Sequence, residues 1–241
     1  MPHPLHRMLA KFERRVPMGE TDRKALLGLP YTLKSAEPGK YLVREGMRTD
    51  ESSLIVSGLA FRQKLTVDGD RQIVSIHIPG DFVDIEGSLL RVADHNIQTL
   101  TRCEIATIPC RSILALIDAR PVIARAIWID TLIDGSIFRE WVMNIGRRDA
   151  RHRIAHLLCE FAKRLELAGL GNEEGYRFPM TQEQLADATG LTPVHVNRSL
   201  KALEADGLIV RNRRFIHIPD WQRLRDMAGF VDTYLHLDQA A

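Results

Sequence analysis

Residues 181 to 209 read TQEQLADATGLTPVHVNRSLKALEADGLI, and the spacing of caps, glycines and apolar positions predicts two helices joined by a tight turn. Thr181 precedes Gln184 by three residues, the spacing at which a hydroxyl and an amide cap a helix start reciprocally, so a helix is expected from Gln182. Leu185, Ala186 and Ala188 give it a narrow apolar side, and Gly190 supplies the left-handed residue that ends it. Thr192 is placed to cap a second helix, with Pro193 at the first position, where a missing N–H costs nothing. Val196, Leu200 and Leu203 recur at helical spacing and face inward, which turns His195, Asn197, Arg198 and Lys201 elsewhere. Gly207 stops this helix. Leu208 to Val210 and Phe215 to Ile218 then flank Arg211-Asn212-Arg213-Arg214 and predict a hairpin with a basic tip.

A short helix, a tight turn and a second helix with outward polar groups suit the major groove of double-stranded DNA, which admits one α-helix. The expected DNA-contacting residues are Thr181, Gln182, Thr192, Pro193, Val194, His195, Asn197, Arg198 and Lys201, with Arg213 and Arg214 from the hairpin, or wing. The bland alternative is a helical hairpin that merely packs; it would require two caps, a glycine turn, the apolar spacing and a basic wing to coincide.

The chain has 241 residues, 45% of them hydrophobic, enough for two modest globular domains. Its formal net charge is only +2, and from Arg147 onward 14 basic residues stand against 13 acidic ones, so local clusters must carry any attraction to DNA. One such cluster is Arg147, Arg148, Arg151 and Arg153, for which a merely solvated face is an equal reading. Three cysteines without a CxxC give no disulfide framework, and no apolar run approaches a membrane span or a leader, so a cytoplasmic setting without membrane contact is expected.

Leu5, Met8, Leu9 and Phe12 mark a short amphipathic helix, and Thr21 is a candidate cap for a second that ends before Pro30. Glycines then punctuate short β-rich runs, Ser53 to Val56, Ala60 to Val67, Ile73 to Ile78 and Ile97 to Pro109, in the manner of a sandwich or jelly roll. After Pro121 apolar residues occupy more than one face of a long helix. Ile129, Ile133, Ile137 and Trp141 are taken as the face that meets a second subunit, and Asn144-Ile145-Gly146 as the break that forms a hinge. Asp149 is placed to cap the next helix.

Gly80-Asp81-Phe82-Val83, the CEIATIP stretch at 103 to 109, RIAHLL at 153 to 158 and the two-helix block together resemble the Crp/Fnr family of bacterial transcription regulators over nearly the whole chain. The resemblance implies an α+β architecture: an N-terminal β-roll (jelly-roll) sensor-like domain at 1 to 120, a dimerisation helix and hinge at 121 to 146, and a C-terminal winged helix-turn-helix at 147 to 241. It further implies a homodimer on a near-palindromic site and RNA polymerase as a partner. Where family members that read the cyclic-AMP-type half-site carry Arg, Glu and Arg, this chain has Pro193, Val194 and Arg198. Arg198 is thus the candidate guanine contact, Asn197 a candidate adenine reader, His195 and Lys201 phosphate contacts, and Thr181 and Thr192 match phosphate-contacting positions.

The cyclic-nucleotide signature is missing. Phe82-Val83-Asp84-Ile85 lacks the Gly-Glu pair for the ribose, and Ala93-Asp94 stands where Arg-Ser would hold the phosphate, so no cyclic nucleotide is expected unless Arg91 swings in. An iron–sulfur cluster needs four ligands, and the amino-terminal segment has no cysteine. Cys103 and Cys110 are read as small buried residues before sensors, and His152, His156 and Cys159 as a solvated helix face before a metal site. Nothing favours His77 or His95 as a haem ligand. No cofactor, metal or catalytic residue is therefore predicted, and the effector is left open. A cupin-type metal enzyme is the competing class, but Ile76-His77-Ile78 holds only one of the histidines it needs. A ligand-independent architectural DNA-binding protein is the third reading.

Overall fold

The computed structural model describes residues 3–90, 92–172 and 174–237. It contains, in order, α1 (His6–Glu13), α2 (Glu20–Leu27), β1 (Thr32–Ala36), β2 (Tyr41–Val43), β3 (Glu51–Ser57), β4 (Ala60–Leu65), β5 (Arg71–His77), α3 (Gly87–Leu90), β6 (Asn96–Thr99), β7 (Cys103–Pro109), α4 (Cys110–Ala119) and α5 (Pro121–Arg147). There follow α6 (Ala150–Leu167), β8 (Gly171–Asn172), β9 (Gly175–Arg177), α7 (Gln182–Thr189), α8 (Pro193–Ala205), β10 (Val210–Asn212), β11 (Phe215–His217) and α9 (Trp221–Ala228). One compact unit holds the described residues of Met1–Lys64, Ser75–Ser136 and His236–Ala241, and the other those of Leu65–Val74 and Ile137–Leu235.

The β-roll has a sheet of order β1-β7-β3 and a sheet of order β2-β6-β4-β5. The apolar residues of the two inner faces, among them Val43, Ile55, Ala60, Ile97 and Ile105, form one core. A second core lies beneath α1, where Leu5, Met8, Leu9 and Phe12 pack with Leu54, Ile108, Ile123 and Ala126; full burial of each such side chain is worth about 1.5–3 kcal/mol. Gly58 turns β3 into β4 at φ 84°, and a Cβ there would stand 2.2 Å from the carbonyl oxygen of Arg102, so no other residue fits.

Several local expectations are corrected. Thr21 lies inside α2, whose N-cap is Gly19. The run from Ile97 to Pro109 is two strands on different sheets, separated at Leu100 to Arg102, because Leu100 and Thr101 donate backbone N–H groups to Leu59 and leave the ladder. The helix does not break at Asn144-Ile145-Gly146 but continues to Arg147. Buried Asn144 donates to the carbonyl of Arg153 at 3.2 Å and accepts from Arg148 at 3.2 Å, which offsets the modest cost of Gly146 near a helix end. Asp149 then caps α6 by accepting from the N–H groups of Arg151 and His152.

The second unit is built on α6, of which Ile154, Leu157, Leu158, Phe161 and Leu165 are buried. Phe161, Tyr176 and Phe178 form an aromatic cluster, and the buried Tyr176 hydroxyl donates to the carbonyl of Leu158 at 2.7 Å. A sheet of order β10-β11-β9-β8 carries the wing.

Candidate nucleic-acid interface

Helix α7 starts with a complete capping box: Gln184 N–H donates to the Thr181 hydroxyl at 3.1 Å, and Thr181 N–H donates to the Gln184 side chain at 2.9 Å. Gly190 ends it at φ 63°, and the Thr192 hydroxyl accepts from His195 N–H at 3.3 Å to start α8. Val196, Ser199, Leu200 and Leu203 are buried, which holds α8 in one rotational setting. Thr192, Pro193, Val194, His195, Arg198 and Lys201 are therefore exposed, with Asn197 half-buried beside them.

Gln182, Pro193, Val194, Asn197, Arg198 and Lys201 line one open surface groove. Asn197 Nδ2 donates to Gln182 Oε1 at 3.3 Å, which ties the first residue of α7 to the middle of α8. Among the described residues neither capping hydroxyl donates a hydrogen bond, so each O–H can donate to a phosphate oxygen. Across the wing, Arg211 pairs with Glu204 at 2.5 Å and is neutralised there, whereas Arg213 and Arg214 at the tip are exposed. Arg213 has φ 54°, a conformation that costs a non-glycine residue about 1–2 kcal/mol.

Of the cluster Arg147, Arg148, Arg151 and Arg153, the last three are committed to internal work, and Arg147 is exposed. Arg148 pairs with Glu140 at 2.8 Å, and Arg151 pairs with Asp206. Arg153 Nη1 donates to the carbonyls of Thr189 and Gly190, at 3.1 and 3.3 Å, and so caps the carboxyl end of α7 at the turn itself. Pattern alone missed this role, and that of Arg71, which lies 2.6 Å from Asp187 on α7 while Gln72 donates to the Asp187 carbonyl at 2.6 Å. Neither partner is near in sequence, so no local signal announces them.

His152 is half-buried, and His156 is not on a solvated face: it is buried, with Nε2 3.1 Å from Glu140 and its ring stacked on Tyr234. Cys103, Cys110 and Cys159 are all buried, and burial raises each thiol pKa. Among the described residues no three His, Cys, Asp or Glu side chains form a group that could hold a metal ion. His77 and His95 are both buried.

In the β-roll, the segment after Gly80 closes on itself. Arg62 donates to Glu86 at 2.8 Å, to the carbonyl of Val83 at 2.9 Å and to Asp134 of α5 at 3.2 Å. Asp84 is buried and accepts from the Ser52 hydroxyl and Ser53 N–H, at 2.9 and 2.6 Å, while burial pushes its pKa up to about 6. His95 Nδ1 is 2.6 Å from Asp94 and holds that carboxyl below its usual range. Four carboxylates, two of which already share the one guanidinium, do not fit a cyclic phosphate. Arg91, the residue weighed as a rescuer, lies outside the described residues.

The long helix also differs from expectation in its phase. Ile133, Ile137 and Trp141 are buried within the chain and Ile129 is half-buried, so this row is an internal face. The exposed apolar residues Trp128, Leu132, Phe138 and Val142 lie on the opposite side of the helix. No helix of the described residues is long and apolar enough to cross a membrane.

Two family models match. Residues 33–120 fit the cyclic nucleotide-binding domain, and residues 152–227 fit the Crp-like helix-turn-helix domain. The nitrogen fixation regulation protein FixK of Bradyrhizobium diazoefficiens is 31% identical over 180 residues, which are 73% of either chain. The transcriptional activator protein FnrL of Cereibacter sphaeroides is 28% identical over 200 residues, 81% of this chain and 80% of that one. The solved structure of FixK2 from Bradyrhizobium japonicum shares the fold, with a TM-score of 0.75 at 24% identity, over 83% of this chain and 98% of its own.

Proposed function

The chain belongs to the Crp/Fnr family of transcription regulators and is a DNA-binding regulator of transcription, and from that premise we propose that it acts as a homodimer on near-palindromic promoter sites. The single observation that carries the DNA-reading surface is the polar and basic row of α8, exposed Arg198 and Lys201 beside half-buried Asn197, held outward by a buried apolar row on the opposite face. Arg198 and Lys201 make no ion pair among the described residues, so their charge is available to DNA. Arg198 reads a guanine, Lys201 and His195 meet phosphates, and Arg213 and Arg214 reach the backbone from the wing.

A second copy covers the exposed row of α5. Trp128 is 68% exposed and Leu132, Phe138 and Val142 are each at least half exposed, an apolar area that a monomer in water does not leave bare. This row replaces Ile129, Ile133, Ile137 and Trp141 as the dimer contact. Functionally the chain divides at 1 to 120, 121 to 146 and 147 to 241, into a β-roll, a helix shared between subunits, and a DNA reader. The protein works by binding rather than by catalysis, in the cytoplasm with the chromosome, and passes its effect to RNA polymerase. Its β-roll answers to something other than a cyclic nucleotide or serves as a platform.

Selection from randomised duplex DNA tests the assignment. It should return two inverted half-sites spaced about one helical turn, 10–10.5 base pairs. In Arg198→Ala, specific binding should weaken by about 1–3 kcal/mol, with preference relaxed at one position per half-site. An Arg198→Ala protein with unchanged selectivity contradicts it.

A further inference from the structure

We propose that Val194 reads the 5-methyl group of a thymine lying within two base steps of the guanine contacted by Arg198, which makes it a specificity-determining residue; the inference rests on the DNA-reading assignment above. Val194 is the second residue of α8 and is 66% exposed, so it has no packing role within the chain. A β-branched residue is also a poorer helix former than the polar residues that usually fill an exposed first turn. Val194 thus places two methyl groups amid Gln182, Asn197, Arg198 and Lys201, where they can meet an apolar partner outside the chain. The major-groove edge of the bases offers one such group, the thymine methyl.

The geometry narrows the position. Val194 lies three residues before Asn197 and four before Arg198, so the three share a helix face. Four residues span about 6 Å of helix axis. That is about two base steps at 3.4 Å. Val194 also leaves Arg198 without a carboxylate one turn away, and Arg198 has no ion pair among the described residues, so both guanidinium nitrogens that face a guanine stay available. A carboxylate at 194 would accept from a cytosine amino group; valine does not, and its two γ-methyls at a stiff χ1 lose little freedom on meeting a methyl.

The experiment uses the full-length protein and its selected duplex. Each thymine of the half-site is replaced in turn by deoxyuridine, which removes the methyl and no hydrogen-bonding group, and the dissociation constant is measured for the parent chain, Val194→Ala and Val194→Glu. One uracil, within two steps of the Arg198-dependent guanine, should weaken the parent about threefold to fourfold. Val194→Ala should be indifferent to that replacement, and Val194→Glu should shift preference at that base pair toward cytosine. Equal binding of every uracil duplex by the parent, or undiminished sensitivity in Val194→Ala, overturns the proposal. If guanine preference still depends on Arg198 in that case, the DNA-reading assignment stands without it. A chain that selects no sequence at all overturns both.

Discussion

Trp141 donates its indole N–H to Glu160, 3.1 and 3.0 Å from the two carboxylate oxygens, and both side chains are buried. The carboxylate also accepts from the Tyr234 hydroxyl at 2.8 Å and lies 3.5 Å from Arg164. The carboxyl end of α5, the middle of α6 and the segment after α9 are thereby fastened to one charge. Removing one donor leaves a buried anion short of a partner, which costs more than a neutral hydrogen bond. Trp141→Phe, which keeps most of the apolar packing, should lower unfolding stability by about 1–3 kcal/mol, read from a guanidinium titration. The variant should still sediment as a dimer. A monomeric variant of unaltered stability would return Trp141 to the subunit interface.

The two apolar sides of α5 should respond differently to the same change. Leu132→Glu and Phe138→Glu place a charge on the exposed apolar row and should yield a folded monomer in analytical ultracentrifugation, with far weaker binding to the two-half-site duplex. Ile133→Glu buries an unpaired carboxylate in the core and should instead destabilise the fold by several kcal/mol. If Leu132→Glu and Phe138→Glu both remain dimeric at micromolar concentration, the exposed row has another use.

Asp84 gives the protein a specific pH dependence. Its folded pKa of about 6 stands above the ordinary 3.8, because burial opposes the charge more than its two donors favour it. The native state therefore binds the proton more tightly than the unfolded chain. The associated stability is full below pH ~4 and is lost as pH rises through about 6. Asp84→Asn keeps an oxygen to accept from Ser52 and Ser53 without the charge. It should flatten this part of the profile and stabilise the protein at pH 8 by on the order of 2 kcal/mol. A variant whose thermal midpoint still falls between pH 4 and 7 as the parent's does would remove Asp84 as the cause.

The reading head was legible in the sequence because its signals are local. Thr181 with Gln184, Gly190, and Thr192 with Pro193 each act within one turn, and a four-residue spacing determines which side chains of α8 face out. The phase of α5 was not legible, since apolar residues lie on both sides: Ile133, Ile137 and Trp141 inward, Trp128, Leu132 and Phe138 outward. Periodicity cannot rank two apolar rows; only the β-roll and α6, once folded, decide which is covered. The same limit hid β1 and β2, whose short Thr-Leu-Lys-Ser-Ala and Tyr-Leu-Val runs are strands because β7 and β6 pair with them. It also hid Arg148, Arg151 and Arg153, which read as a basic patch until their partners Glu140, Asp206 and the Gly190 turn are brought near.

The segment after Gly80 should refuse cyclic AMP and cyclic GMP. Binding a cyclic phosphate needs a guanidinium that is free to form a two-pronged contact. Arg62 is engaged by Glu86 and Asp134, and Ala93 offers no charge at all. Freeing Arg62 would strand Glu86, and Asp84 and Asp94 would add repulsion at close range. Loss of the Arg–phosphate pair should cost several kcal/mol, and each 1.4 kcal/mol or so is tenfold in affinity, so a micromolar site becomes millimolar or weaker. Isothermal titration calorimetry with either nucleotide should give no saturable heat below about 1 mM, and the selected duplex should bind equally with or without it. A micromolar dissociation constant would mean that the Arg62 bridge opens to the ligand, and it would return the protein to the nucleotide-responsive branch of its family.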